Sequence, residues 1–128
     1  MGKVYLNSAD AILQAEDFVF DEVDCPEWGG TVRIRSLSGA QRVTLKKAVD
    51  AGRDDIDETL CVMAIVDQDG NRILHQQQIA ELGKKNTSVI TRIAMKVLEI
   101  SGMRDREKAV KDAEKNSGEI PSDDSSFD

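Results

Sequence analysis

The chain is 128 residues long, 40% hydrophobic and 32% charged, with a formal net charge of −7. That length suits one domain burying about two-thirds of the surface its unfolded chain exposes, and with only five aromatic residues the core must be mainly aliphatic. The negative charge disfavours nucleic acid or an anionic membrane as partner, because both require a basic patch that releases counterions, and no such patch is evident.

The N-terminus, "MGKVYLNSADAIL", has no apolar run long enough for a signal peptide, and Leu6 stands where a myristoylation motif needs Ser or Thr. The protein is therefore expected to remain in the cytoplasm where it is made. Ser8 can cap a helix of one to two turns with a small apolar patch at Ala11, Ile12 and Ala15. In "DFVFDEVD", Phe18 and Phe20 fall on one side of an extended segment, and "TVRIRSL" alternates Val32 and Ile34 with Arg33 and Arg35. Two strands with one wet face are predicted. Between them, Cys25 to Gly30 contains Pro26, which cannot donate to a ladder, and the Gly29-Gly30 pair, so the hairpin loop is irregular. That loop holds Trp28, the only tryptophan. A loop tryptophan covers the open end of a core in many folds and is also among the residues most enriched at binding hot spots; both readings stay open here.

Ser38 opens the next predicted helix, "GAQRVTLKKAVDAG", which Gly52 closes. "TLCVMAIV", Thr59 to Val66, is continuously apolar, so periodicity does not separate a buried strand from a buried helix. The Asp69-Gly70 turn after it decides for a central strand over this run, with a short return strand through Ile73. "QQIAEL" is then a short helix ending at Gly83. The clearest pattern is "NTSVITRIAMKVLEISG", whose Ile90, Ile93, Ala94, Val97 and Leu98 form one apolar stripe ending at Gly102, so this helix should be the backbone of the core. A further helix is predicted over Asp105 to Asn116, with a thin stripe of Ala109, Val110 and Ala113. The remainder, "SGEIPSDDSSFD", has four acidic residues and no basic one, a composition expected to stay disordered. The predicted organisation is thus one α+β domain over residues 1–115, a small and mostly antiparallel sheet packed against several helices, with a flexible acidic tail over 116–128.

Catalytic and metal motifs find little support. Aligning Gly70 with the obligatory glycine of an EF-hand puts Ile65 and Gln76 where carboxylates are needed, so "DQDG" reads as a hairpin turn. His75, the single histidine, has no cysteine or serine near it in sequence for a nucleophilic pair. Cys25 and Cys61 belong to no C-x-x-C or histidine cluster and read as reduced intracellular thiols, so neither zinc nor another cofactor is expected. Phosphate-binding and nucleophile-elbow motifs are absent. Asp54-Asp55 and Asp123-Asp124 lie in polar segments unsuited to acid-base work. Arg33 and Arg35 share a strand face that can receive acidic groups, although most such pairs only face water.

The order and spacing of several segments resemble the tail assembly chaperones of long, non-contractile-tailed bacteriophages. From Asp10 to Asn116 the carriers are "VDCPEWGGTVRIRSLSGAQR", "VDQDGNRIL", a short helix with "LGKKN", a long helix ending "SGM", and a terminal "EKNS". After "KNS" that family often continues with a basic-aromatic segment, where this chain has "PSDDSSFD". The resemblance implies a non-catalytic protein of the host cytoplasm, absent from the finished virion. It would keep the tape measure protein soluble and help tail tube subunits assemble around it. Related genes often add a frameshifted longer product, a further expected partner. The implied partner-binding surface lies near the tryptophan loop or along the last two helices: Pro26, Trp28, Gly29, Gly30, Arg33, Arg35, Met103 and Val110. The alternative is a virion structural component, such as a tail tube or head-to-tail completion protein.

Overall fold

The structure, a computed structural model, describes residues 2–103. The helix expected at Asp105–Asn116, the acidic tail, the boundary drawn between them and Val110 lie outside the described residues. The described part is α+β: helices α1 (Ala9–Gln14), α2 (Gly39–Asp50), α3 (Ile56–Ala64), α4 (Ile79–Leu82) and α5 (Thr87–Ile100), with strands β1 (Phe20–Cys25), β2 (Gly30–Arg35) and β3 (Ile65–Val66). The sheet is antiparallel in the order β1-β2-β3. Helices α2 and α3 fill the connection from β2 to β3.

Local chemistry sets the helix ends. Ser38 accepts from the Gln41 amide while the Gln41 side chain accepts from the Ser38 amide, a reciprocal cap that satisfies two orphan donors of α2. The Gln41 side-chain nitrogen also donates to the Met63 carbonyl at 3.2 Å, tying the start of α2 to the end of α3. Asn86 caps α5 through the Ser88 amide. The "DQDG" turn closes on itself: the Asp67 carboxylate accepts from the amides of Asp69 and Asn71, and Gly70, at φ +88°, makes the reversal in the left-handed region.

The core lies between the inner face of the sheet and helices α3 and α5. Val23, Cys25 and Ile34 from the sheet meet Val89, Ile90, Ile93, Ala94 and Val97 of α5 and Leu60, Cys61, Val62 and Ala64 of α3. The expectation that α5 organises this core holds: Ile90, Ile93, Ala94 and Val97 of the stripe read in the sequence are buried together with Val89, while Leu98 is partly buried against them.

The run Thr59–Val66 corrects the sequence-based expectation. It is not a central strand; Thr59–Ala64 completes α3, and only Ile65 and Val66 are extended, pairing with Ile34 and Arg33. The expected return strand shrinks to a single bridge between Val66 and Arg72. Leu60, Met63 and Ala64 are strong helix formers and Asp57 and Glu58 in the first turn complement the helix dipole, so the run can be helical, and burial among α2, α4 and α5 decides that it is. Every residue from Thr59 to Ala64 is buried, as expected of a helix covered on all sides.

Candidate partner-binding surface

The tryptophan loop is a short 3-10 turn, Pro26–Trp28, closed by Gly29 at φ +79°, where the Gly29 amide donates to the Pro26 carbonyl. Pro26, Gly29 and Gly30 are exposed, whereas Trp28 is half-buried and packs against the core. The turn is latched to α5. Arg92 donates from both terminal nitrogens to the Glu27 carboxylate, at 2.7 and 2.9 Å, and from one of them to the Asp24 carbonyl at 3.1 Å. Those hydrogen bonds hold the Glu27 carboxyl at about 2, against an ordinary value of 4.5. A depressed carboxylate stabilises the fold fully above its unfolded value and loses that contribution as pH falls. Glu27→Gln should therefore flatten the decline of stability between pH 4.5 and about 2. Denaturant midpoints measured across that range check this; an unchanged slope would show the latch to be idle. Some decline should persist, since Asp21, bonded to the Glu22 amide and Lys96, and Asp55, bonded to Arg53, are also held low.

Because Trp28 packs half-buried against the core, Trp28→Ala is expected to lower stability by about 1.5–2.5 kcal/mol, roughly half the cost of truncating a fully buried aromatic. Partner capture measured well below the melting transition should stay unchanged. Lost capture at normal stability would instead make Trp28 a contact residue.

Arg33 and Arg35 project from the outer face of the sheet together with Phe18 and Phe20. The Arg35 guanidinium lies over the Phe18 ring at 4.0 Å and that of Arg33 over Phe20 at 4.2 Å. The buried residues of β1 are Val23 and Cys25, so the phenylalanines sit on the solvent side and the arginines cover them. Arg33 also donates to the Gln68 carbonyl at 2.8 Å, and Arg35 to the Gln41 side-chain oxygen at 3.4 Å. The Nε of Arg35 is buried without a hydrogen-bond partner among the described residues. Met103, just beyond the C-terminal end of α5, packs partly buried against the core.

Among the described residues, the most exposed large apolar side chains lie where the sequence placed no candidate site. The segment before β1 buries nothing in α1, and it presents Val4 at 88%, Tyr5, Leu6, Ile12 and Leu13 at 79% exposure. It continues into exposed Phe18, Val19 and Phe20. The arm is anchored at Val19, whose amide donates to Ser36 Oγ and whose carbonyl accepts from the Ser36 amide at 2.8 Å. One signal was available in the sequence: a capped helix whose apolar patch is too small to pack against a core, with Leu6 and Leu13 close by.

The remaining features offer little chemistry. An open depression of about 490 Å³ is lined by polar groups including Asp55, Glu58 and Gln76, and its Asp55 accepts two hydrogen bonds from the Arg53 guanidinium. Burial pushes the Cys61 thiol up to about 12 and also raises that of Cys25, which leaves both sulfurs protonated and unreactive. Among the described residues no group of three or more histidines, cysteines or carboxylates is placed to hold a metal. No described helix is long and apolar enough to cross a membrane.

Against known proteins, no family model matches the chain and no curated protein does either. Among solved structures the fold is similar to that of the bacteriophage HK97 tail assembly chaperone, with a TM-score of 0.57 and 20% identity. The similarity covers 71% of this chain and 90% of that one.

Proposed function

We propose that this chain is a phage tail assembly chaperone that binds the tape measure protein, keeps it soluble and promotes assembly of the tail tube around it. The observation that carries the reading is the fold it shares with the HK97 tail assembly chaperone over nine-tenths of that protein. A chaperone of this kind needs a surface that receives apolar helices of its client, and the exposed arm from Val4 to Leu13 supplies one. The client surface is then the N-terminal arm from Val4 to Leu13, in place of the tryptophan loop or the last two helices that the sequence suggested. The net charge of −7 limits association between copies while a client is held. On this reading the protein works without catalysis in the host cytoplasm, with the tail tube protein and a frameshifted longer form as further partners.

Co-expression with the tape measure protein tests it: the soluble yield of the client should rise when this chain is present, and an unchanged yield would defeat the proposal. Mass spectrometry of purified virions should find the protein missing. Many copies per particle would favour a structural subunit.

A further inference from the structure

We infer that the outer sheet face formed by Phe18, Phe20, Arg33 and Arg35 is the docking surface for the chain's own acidic C-terminal segment, Glu119–Asp128. Unpaired charge stacked on aromatic rings marks the face. Arg53, Arg92, Lys46 and Lys96 each pair with a carboxylate, whereas neither Arg33 nor Arg35 forms an ion pair among the described residues. Arg42, Lys47, Arg72, Lys84 and Lys85 also make no ion pair among the described residues, but none of them lies over a ring. Glu22 is the register partner of Arg33 and still makes no ion pair with it. Both guanidiniums instead lie over phenylalanine rings, with uncharged oxygens as their other acceptors.

Two things set the occupant: the point at which the chain leaves the described structure, and the residues C-terminal to it. Ser101, just after α5, accepts from the Leu37 amide at 2.9 Å, so the C-terminal end of the helix sits two residues beyond Arg35 on the same strand exit. The sixteen residues that follow Met103, up to Glu119, reach up to about 50 Å when extended, well beyond the ~13 Å radius of gyration of a domain this size. The segment then presents Glu119, Asp123, Asp124 and Asp128 with no basic residue, plus Ile120 and Phe127. Carboxylates answer the arginines through charge-assisted hydrogen bonds, and the apolar pair answers the phenylalanine rings. Tethering places the segment at a millimolar effective concentration, so even a weak intrinsic affinity keeps the face covered. Docking in this way shields two exposed aromatic rings with the chain's own charge.

Paramagnetic relaxation in the full chain tests it. Ser122→Cys carries a nitroxide label, while Cys25 and Cys61 are buried and stay unlabelled. The amide signals of Phe18–Phe20 and Arg33–Leu37 should broaden strongly. They should recover when Asp123→Asn and Asp124→Asn are added, changes outside residues 2–103, and again at about 0.5 M salt, where the screening length falls below about 5 Å. Unbroadened signals on this face would overturn the inference. So would broadening that survives both treatments, or broadening seen only when labelled chains are mixed with unlabelled isotope-enriched ones, which would mean a second copy supplies the segment.

Discussion

The combined substitution Leu6→Ser, Ile12→Ser and Leu13→Ser is expected to abolish capture of an apolar client while leaving the fold intact. Each of these side chains is more than half exposed in the free protein. Fully burying one against a partner contributes about 1.5–3 kcal/mol. If a client covers them only in part, at about 1 kcal/mol each, the triple variant loses about 3 kcal/mol, or on the order of a hundredfold in Kd. Stability should move by no more than about 0.5 kcal/mol, because α1 buries no residue that the substitutions would unpack. Titration of a fluorescently labelled tape measure fragment, paired with thermal melts of each variant, gives both numbers. Unchanged affinity would mean that the arm is not the client surface.

The opposite pattern is expected at the centre of α5. Ile93 is 0% exposed and packs within the cluster that joins the sheet to α3 and α5. Ile93→Ala removes buried carbon from a site whose neighbours are held by two layers of structure, so collapse around the cavity is incomplete and the cost is about 2–5 kcal/mol. For a domain near 100 residues that corresponds to a fall in melting temperature of roughly 10 °C or more. Since such domains are stable by only about 5–15 kcal/mol, the variant is best studied at low temperature, with Ile93→Val as a milder companion at about 0.5–1.5 kcal/mol. Calorimetry checks both. A melting temperature within about 2 °C of the parent for Ile93→Ala would contradict the packing described. Together the two experiments separate surface from scaffold: one loses binding without stability, the other stability without a direct loss of contact.

Much of the scaffold was legible in the residues. Ser38 with Gln41, Asn86 with Ser88 and the "DQDG" turn are local devices whose partners lie within four positions, and each formed as its chemistry requires. The stripe of α5 was equally plain, because one face of that helix is covered and the other is not. The hairpin of β1 and β2 was also legible, with a register that pairs Phe20 with Arg35 and Cys25 with Gly30. The candidate surface was legible only in fragments. Arg33 and Arg35 were visible as a pair on one face, yet their stacking on Phe20 and Phe18 depends on which side of β1 turns to the core.

By itself, then, the sequence determined where most helices begin and end, where the chain reverses and that aliphatic residues build the core. Those outcomes rest on interactions between near neighbours and on apolar periodicity. Only the tertiary structure decided that the run from Thr59 to Ala64 is helical, since Leu60 to Ala64 carry no period and are buried on every side among α2, α4 and α5. It alone decided, too, that Val4 to Leu13 find no cover among the described residues while Trp28 packs half-buried against the core. Apolarity states what a side chain gains from burial; which side chains receive it depends on the limited area that the other elements have to offer.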